Sequence, residues 1–359
     1  MSTPIIVTGA AGFIGRNIVT ELNRRGHKNL LLVDQLGTDE KWANLVGLRF
    51  DEVISPTKFI ESVKTNTAPQ ASICIHLGAC SATTEKDADY LLENNYRYTR
   101  TLCEWSLRQK IRFVYASSAA TYGDGTLGYS DEDSATPALQ PLNMYGYSKH
   151  LFDLWALQTG AIDRIVGLKY FNVYGPYEDH KGGMRSLVQK AYHQIIERGY
   201  LELFKSHRPD CRDGEQKRDF IYVRDAVGVT LHFALESRTG GLLNCGTGVA
   251  RTWLDLAHAL FSAMGRTPDI HFIEMPEILR GKYQYFTQAD DAKLRRAGYA
   301  KPFLSLEDGV SDYVKTYLAA RACAGGLMPD LASGGHGGHG QPHSSQMQPN
   351  VGLDHPGWC

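Results

Sequence analysis

Thr8-Gly9-Ala10-Ala11-Gly12-Phe13-Ile14-Gly15 follows a short apolar run, Ile5–Val7, and opens a stretch of helical periodicity. Few folds place three glycines at this spacing between a strand and a helix. Gly9 permits the tight turn, Gly12 lets backbone approach a pyrophosphate, and Gly15 lets the helix pack close to the strand. The first N–H groups of the helix then offer partial positive charge to phosphate. Asp34 ends the next strand-like run at the ~20-residue distance where a carboxylate meets a ribose hydroxyl. The segment predicts a dinucleotide site. Asp34 favours the free ribose of NAD, whereas Lys41, shortly beyond, can meet the 2′-phosphate of NADP. The residues alone leave that choice open.

The rest of the first half extends the same pattern. Leu30–Asp34, Ser72–Leu77, Ile111–Ala116 and Arg164–Tyr170 read as buried strands, with helical stretches near Ile14–Arg25, Tyr90–Gln109 and Tyr145–Gln158. Short strands alternating with helices predict an α/β fold, a Rossmann-type doubly wound parallel sheet. After Tyr170 the alternation loosens, and Asn172 to Gly183 reads as a loop. Residues 1–170 are expected to form the dinucleotide-binding domain, with the strand-like Asp219–Val223 and Leu242–Cys245 returning to it near 219–248. Residues 171–321 are expected to form a smaller, interleaved mixed α/β substrate lobe. From 322 to 359 Gly, His, Ser, Gln and Pro dominate, which predicts a disordered tail. Its His336, His339 and His343 can bind a metal loosely, but no fixed metal site is expected.

A net charge of −1 gives no general attraction to nucleic acid or an anionic membrane. No apolar run approaches the ~18–20 residues of a membrane span. The N-terminus lacks the basic start and cleavage site of a signal peptide. The seven cysteines are scattered without a CxxC pair, which suits reduced thiols in a cytoplasmic protein. Among them Cys80 follows a strand and reads more simply as an inert buried thiol than a reactive one.

Tyr145 and Lys149 are four residues apart at a helix start and share a face. A phenol with a pKa of ~10 is a poor base, but a neighbouring ammonium favours the phenolate. Tyr145 can then exchange a proton with a substrate hydroxyl as hydride moves, with Ser118, at a strand end, bonded to the same oxygen. A lone Tyr-x-x-x-Lys is common; its company here makes it a catalytic candidate.

Thr8–Gly15, Tyr115-Ala-Ser-Ser-Ala-Ala-Thr-Tyr-Gly123, Tyr145-Gly-Tyr-Ser-Lys149 and Arg218-Asp-Phe-Ile-Tyr-Val223 together resemble the extended short-chain dehydrogenase/reductase family, which acts on nucleotide sugars. The resemblance covers roughly residues 4–320. Gly78-Ala-Cys-Ser-Ala-Thr-Thr-Glu85, Glu93-Asn-Asn-Tyr96, Tyr170-Phe-Asn-Val-Tyr-Gly-Pro176, His180-Lys-Gly182 and Gly281–Asp290 are similar to a subgroup that inverts C6 of an ADP-linked heptose.

The resemblance implies an isomerase with bound NADP, NAD being the alternative. Hydride leaves C6, a ketone forms, and hydride returns to the other face. Tyr145 and Lys181 would be the two proton-transfer groups, aided by Ser118 and Lys149. Cofactor contacts would come from Gly9, Ala11, Gly12, Phe13, Ile14, Gly15, Asp34, Gln35, Lys41, Leu77, Gly78, Ala79, Cys80, Ser81, Asn94, Lys149 and Val173. Asn172, Lys181, Gly183, Lys190, Phe204, Lys205, Ser206, His207, Arg218 and Tyr283 would meet the nucleotide sugar. Arg218 suits a diphosphate, because a guanidinium forks onto phosphate. A homo-oligomer is expected, a homopentamer being one form.

The chain departs from the subgroup at Leu77, where Glu is common, and at Pro56, where a lysine for the cofactor phosphate is expected. Gly183 and Lys190 replace a Ser and a His. Ala119 and Ala120 stand where a dehydratase would carry acids. A nucleotide-sugar 4-epimerase is the rival enzyme reading, and a dinucleotide-binding sensor without turnover is the rival of another class.

Overall fold

A computed structural model describes residues 3–280 and 283–323. Seven strands form one parallel sheet: β1 (Ile5–Thr8), β2 (Leu30–Val33), β3 (Glu52–Ile54), β4 (Ile73–His76), β5 (Arg112–Ser118), β6 (Val166–Tyr170) and β10 (Gly241–Cys245). Their order is β10-β6-β5-β4-β1-β2-β3. The direction of chain progression reverses between β1 and β4, where Thr8 pairs with His76. In open α/β sheets ligands bind outside the carboxyl ends of the strands at such a reversal. The Rossmann-type sheet expected from the alternation is present.

Both faces of the sheet are covered, and the period of two sorts its side chains. Ile5 and Val7 enter one core with helix Phe13–Arg24 and helix Val223–Leu231. Ile6 enters the other with Phe59, Trp105, Phe113 and Phe152. Burial on both faces explains why these strands read as unbroken apolar runs. The helical stretch near Tyr90–Gln109 divides into Ala88–Leu91, a wider π turn over Leu92–Arg97, and Tyr98–Arg108.

A three-stranded sheet stands apart, in the order β11 (Ala250–Thr252), β9 (Lys217–Tyr222) and β7 (Asn172–Tyr174). Two expectations change here. Leu242–Cys245 joins the large sheet as β10, but Asp219–Val223 does not return to it: β9 pairs with β7 and β11 instead. Asn172 to Gly183 is not all loop, since it holds β7 and a 3₁₀ turn at Asp179–Met184. A third sheet pairs β8 (Leu201–Phe204) with β12 (Ile270–Ile273). Of the expected tail, Ala322 and Cys323 belong to helix Ala319–Cys323. The remainder, with His336, His339 and His343, lies outside the described residues. Among the described residues no helix is long and apolar enough to cross a membrane.

The Gly turn is as tight as its glycines require. Gly9 adopts φ +68°, and a Cβ at Gly15 would lie 2.0 Å from the Gly9 carbonyl oxygen. Backbone, not a movable side chain, fills that space. Gly15→Ala should therefore force helix Phe13–Arg24 off β1, at a cost of at least about 1–3 kcal/mol. Denaturant unfolding should show the lowered midpoint, and the purified variant should retain less dinucleotide.

Candidate active site

A cleft of about 350 Å³ opens at the reversal point. Its walls include Phe13 and Ile14 from the Gly turn, Leu77, Ala79 and Ser81 after β4, and Ser118 at the end of β5. Tyr145 and Lys149 reach it from helix Met144–Gln158, whose N-cap Asn143 accepts the Gly146 N–H at 2.8 Å. Asn172, Val173, Lys181, Lys190, Arg218 and Tyr283 line it too. Both halves of the chain thus share one cavity.

The turn fits a dinucleotide. A Cβ at Gly9 would come within 2.8 Å of the Gly78 nitrogen, which holds the loop after β4 against the turn. At Gly12 a Cβ would meet little besides the Gly9 carbonyl oxygen, at 3.0 Å, so its outer side is free for a ligand to approach. Thr8 Oγ1 accepts from Gly78 N at 3.0 Å, and Asp34 accepts from Ala11 N at 2.7 Å and Gln35 N at 2.7 Å. Lys41 Nζ lies 2.6 Å from Asp34 Oδ1. The two residues that pull cofactor choice in opposite directions are therefore an ion pair.

Cys80 is half-buried rather than sealed in the core. Asn95 ties its backbone down: Oδ1 accepts Cys80 N at 2.9 Å, and Nδ2 donates to Cys80 O at 3.0 Å and Ser148 Oγ at 3.0 Å. The adjacent Asn94 donates to Asn95 Oδ1 at 3.1 Å. Pro56 has a local reason, as the first residue of helix Pro56–Lys64 after the Ser55 cap.

The catalytic candidates differ electrostatically from expectation in one respect. Burial raises the Tyr145 phenol above its ordinary pKa, against the hydrogen bond to Ser118 that lowers it. The Lys149 ammonium donates to the Ala116 carbonyl at 2.8 Å instead of to the phenol. Burial brings Lys149 down to about 8, with Asp153 opposing. Lys181 is also depressed by burial, with Glu178 opposing, and its Nζ lies 5.1 Å over the Phe13 ring. Glu178 is itself buried and accepts from Ser186 N at 2.6 Å and the Tyr313 hydroxyl at 3.2 Å. Lys181 is thus held over the Gly turn.

Arg218 is buried, with its guanidinium 5.2 Å from the Tyr283 ring and 5.6 Å from that of Trp253. Two distant motifs meet to make this pocket. Lys217 N donates to Tyr285 O at 2.9 Å, and Ala289 N donates to Asp219 Oδ2 at 3.0 Å. Phe204, Lys205, Ser206 and His207 do not line the cleft. Phe204 ends β8 in the core, Lys205 Nζ pairs with Glu274 at 2.9 Å, Ser206 N bonds Asp213, and His207 N bonds the Tyr285 hydroxyl. Gly183 is exposed, and a Cβ there would have no neighbour within 4 Å, so a serine has room. Arg185 and Asn143 line the cleft but carry no motif that marks them in the sequence, and Gln284, within the Gly281–Asp290 segment, lines it as well.

With this geometry in place, comparison with known proteins narrows the chemistry. Residues 5–246 match the model of the NAD dependent epimerase/dehydratase family. A protein of Nitratidesulfovibrio vulgaris strain Hildenborough named ADP-L-glycero-D-manno-heptose-6-epimerase is 54% identical over 316 residues, 88% of this chain and 98% of that one. A Fusobacterium nucleatum protein of the same name is 46% identical over 325 residues, again with 88% and 98% covered. The crystal structure of Helicobacter pylori ADP-L-glycero-D-manno-heptose-6-epimerase superposes with a TM-score of 0.74 at 26% identity, covering 87% of this chain and 95% of that one.

Lys149 should reveal its role through a conflict between stability and activity. Its folded pKa of about 8 lies below the ordinary 10.5, so the folded state is penalised whenever the ammonium is charged. That penalty is complete below pH 8 and fades as the pH rises to 10.5, worth roughly 3 kcal/mol at pH 7. Less about 1 kcal/mol for the lost Ala116 bond, Lys149→Met should be more stable than the parent at pH 7 and inactive. Urea unfolding at pH 7 and pH 10.5 should show the gain at the lower pH only.

Proposed function

The chain belongs to the NAD dependent epimerase/dehydratase family, and from that premise we propose that it interconverts ADP-D-glycero-D-manno-heptose and ADP-L-glycero-D-manno-heptose. The observation carrying this reading is that Tyr145 and Lys181 reach one cleft from separate elements. Inversion at a carbon by loss and return of hydride needs proton transfer on two sides of the sugar, and a lone Tyr–Lys pair supplies one. The names of the relatives that cover most of the chain carry the choice of sugar.

A bound nicotinamide would supply the hydride acceptor and then the donor. The remaining work falls to the chain. Tyr145 would take the proton of the C6 hydroxyl on one face, with Ser118 bonded to the same oxygen and Lys149 stabilising negative charge on the phenol. Lys181, lowered by its enclosure, would act from the other side. Arg218 would hold the diphosphate, and its two aromatic neighbours would keep the guanidinium planar to the ligand. Asp34 and Lys41 would meet the adenosine ribose; Lys41 is the feature supporting NADP, and Asp34 the feature supporting NAD. The product would supply heptose for the lipopolysaccharide core, from a cytoplasmic homo-oligomer.

A UDP-sugar 4-epimerase is the second reading. The UDP-glucose 4-epimerase of Thermotoga maritima shares the fold with a TM-score of 0.73 at 23% identity.

Incubation with ADP-D-glycero-D-manno-heptose and no added cofactor should yield the 6-epimer by NMR of the product. Folded, dinucleotide-loaded protein giving no epimer would sink the assignment. Lys181→Ala should lose about 100-fold or more in turnover while still retaining dinucleotide, and parental turnover by that variant would refute the two-base reading. Mass spectrometry of the extracted dinucleotide decides between NADP and NAD.

A further inference from the structure

An ion pair lies beneath the cleft that this chemistry does not use. Asp153 and Lys169 are both fully buried, with Lys169 Nζ 2.9 Å from Asp153 Oδ2. The same Oδ2 accepts from Ser117 Oγ at 2.7 Å, and Oδ1 accepts from the Tyr115 hydroxyl at 2.8 Å. Lys169 also donates to Thr121 Oγ1 at 2.7 Å. A buried ion pair is seldom better for stability than well-packed apolar residues, so stability does not account for it.

Its place in the chain does. Asp153 lies one helical turn beyond Lys149, which lies one turn beyond Tyr145, so all three share a helix face. Ser117 immediately precedes Ser118. Lys169 immediately precedes Tyr170–Val173, which lines the cleft. Three segments that carry site residues converge on one carboxylate.

We propose that Asp153 is a positioning residue, which locks the ends of β5 and β6 to the Tyr145 helix and supplies the counter-charge for Lys149. The titratable groups facing Lys149 are Tyr145 and Asp153 on its own helix, Cys80 from the loop after β4, and His76 from β4. From β5 it meets the Ala116 carbonyl, and Lys169 of β6 lies behind Asp153. Burial holds His76 neutral, with a pKa of about 3. Asp153 is the carboxylate in this group, opposing the burial that pulls Lys149 down.

The test compares Asp153→Asn, Lys169→Met and the double variant, by kcat and KM against pH and by ¹³C NMR titration of labelled Lys149 in dinucleotide-loaded protein. Asp153→Asn alone leaves Lys169 buried and unpaired and can fail to fold. The double variant leaves no such charge and should fold. It should lose about 10–100-fold in kcat with KM little changed. Its alkaline limb and its Lys149 titration should move to lower pH. Lys169→Met, which keeps Asp153, should not move them that way. A folded double variant with parental kcat would overturn the proposal, and so would a loss of kcat with an unmoved Lys149 titration, which is a packing effect. The turnover measurement rests on the epimerase reading. If the parent fails to epimerise the ADP-heptose, that reading fails, while the NMR titration still decides this one.

Discussion

The approach of Gly15 to the Gly9 carbonyl leaves no room for a methyl group, and the site is built outward from that contact. It brings helix Phe13–Arg24 against β1, so the first N–H groups of the helix open at the same edge as the end of β4. The sheet order then matters. Because progression reverses between β1 and β4, the loops after these strands diverge and leave a crevice there. β5 and β6, continuing on one side, bring Ser118 and Asn172 to the same end. A parallel sheet puts all its carboxyl ends together, and the reversal makes a gap among them.

Cations under the cleft are the second organising feature. Lys149 and Lys181 are both depressed by burial, and each has a buried carboxylate nearby, Asp153 and Glu178. The pairs differ in rigidity. Asp153 is anchored by β5 and β6, whereas Glu178 sits at the start of a short 3₁₀ turn and is bonded to Ser186 and Tyr313. Lys149 is tied to strand backbone, and Lys181 rests on an aromatic ring of the Gly turn. One cation belongs to the sheet and the other to a surface turn.

The large sheet is legible in the sequence because its signals are local: doubly buried strands are continuous apolar runs, and the Gly turn has its own spacing. β3 is not, since it is an edge strand of three residues with partial exposure. β9 reads as part of the wrong sheet because a short apolar run says nothing of its partner. Resemblance puts Phe204–His207 at the substrate; in the structure Phe204 ends β8, which pairs with β12 about 70 residues later, and the Lys205 and His207 side chains face Glu274. Asp153 is open to discovery: the four-residue step from Tyr145 to Lys149, taken once more, lands on it. Lys169 is not, since it reads as a polar interruption in a strand until the carboxylate opposite is known.

That contrast bears on how the site holds its geometry. Motif residues that line the cleft are recognisable by spacing, but their positions depend on residues that touch only protein. Asp219 is an instance on the substrate side: beside Arg218 in the chain, it accepts from Thr247, Gly248 and Ala289 backbone N–H groups and so brings the segment after Tyr283 to the arginine. Asn95 does the same for the loop after β4 and the Tyr145 helix. In each case one buried polar side chain joins segments far apart in sequence, and its hydrogen bonds are satisfied only when those segments are in register. A shift of one segment would leave buried polar atoms unpaired, at about 1–3 kcal/mol each. The cost is large against the few kcal/mol that separate compact states, so the cleft keeps a single arrangement although its walls come from both halves of the chain.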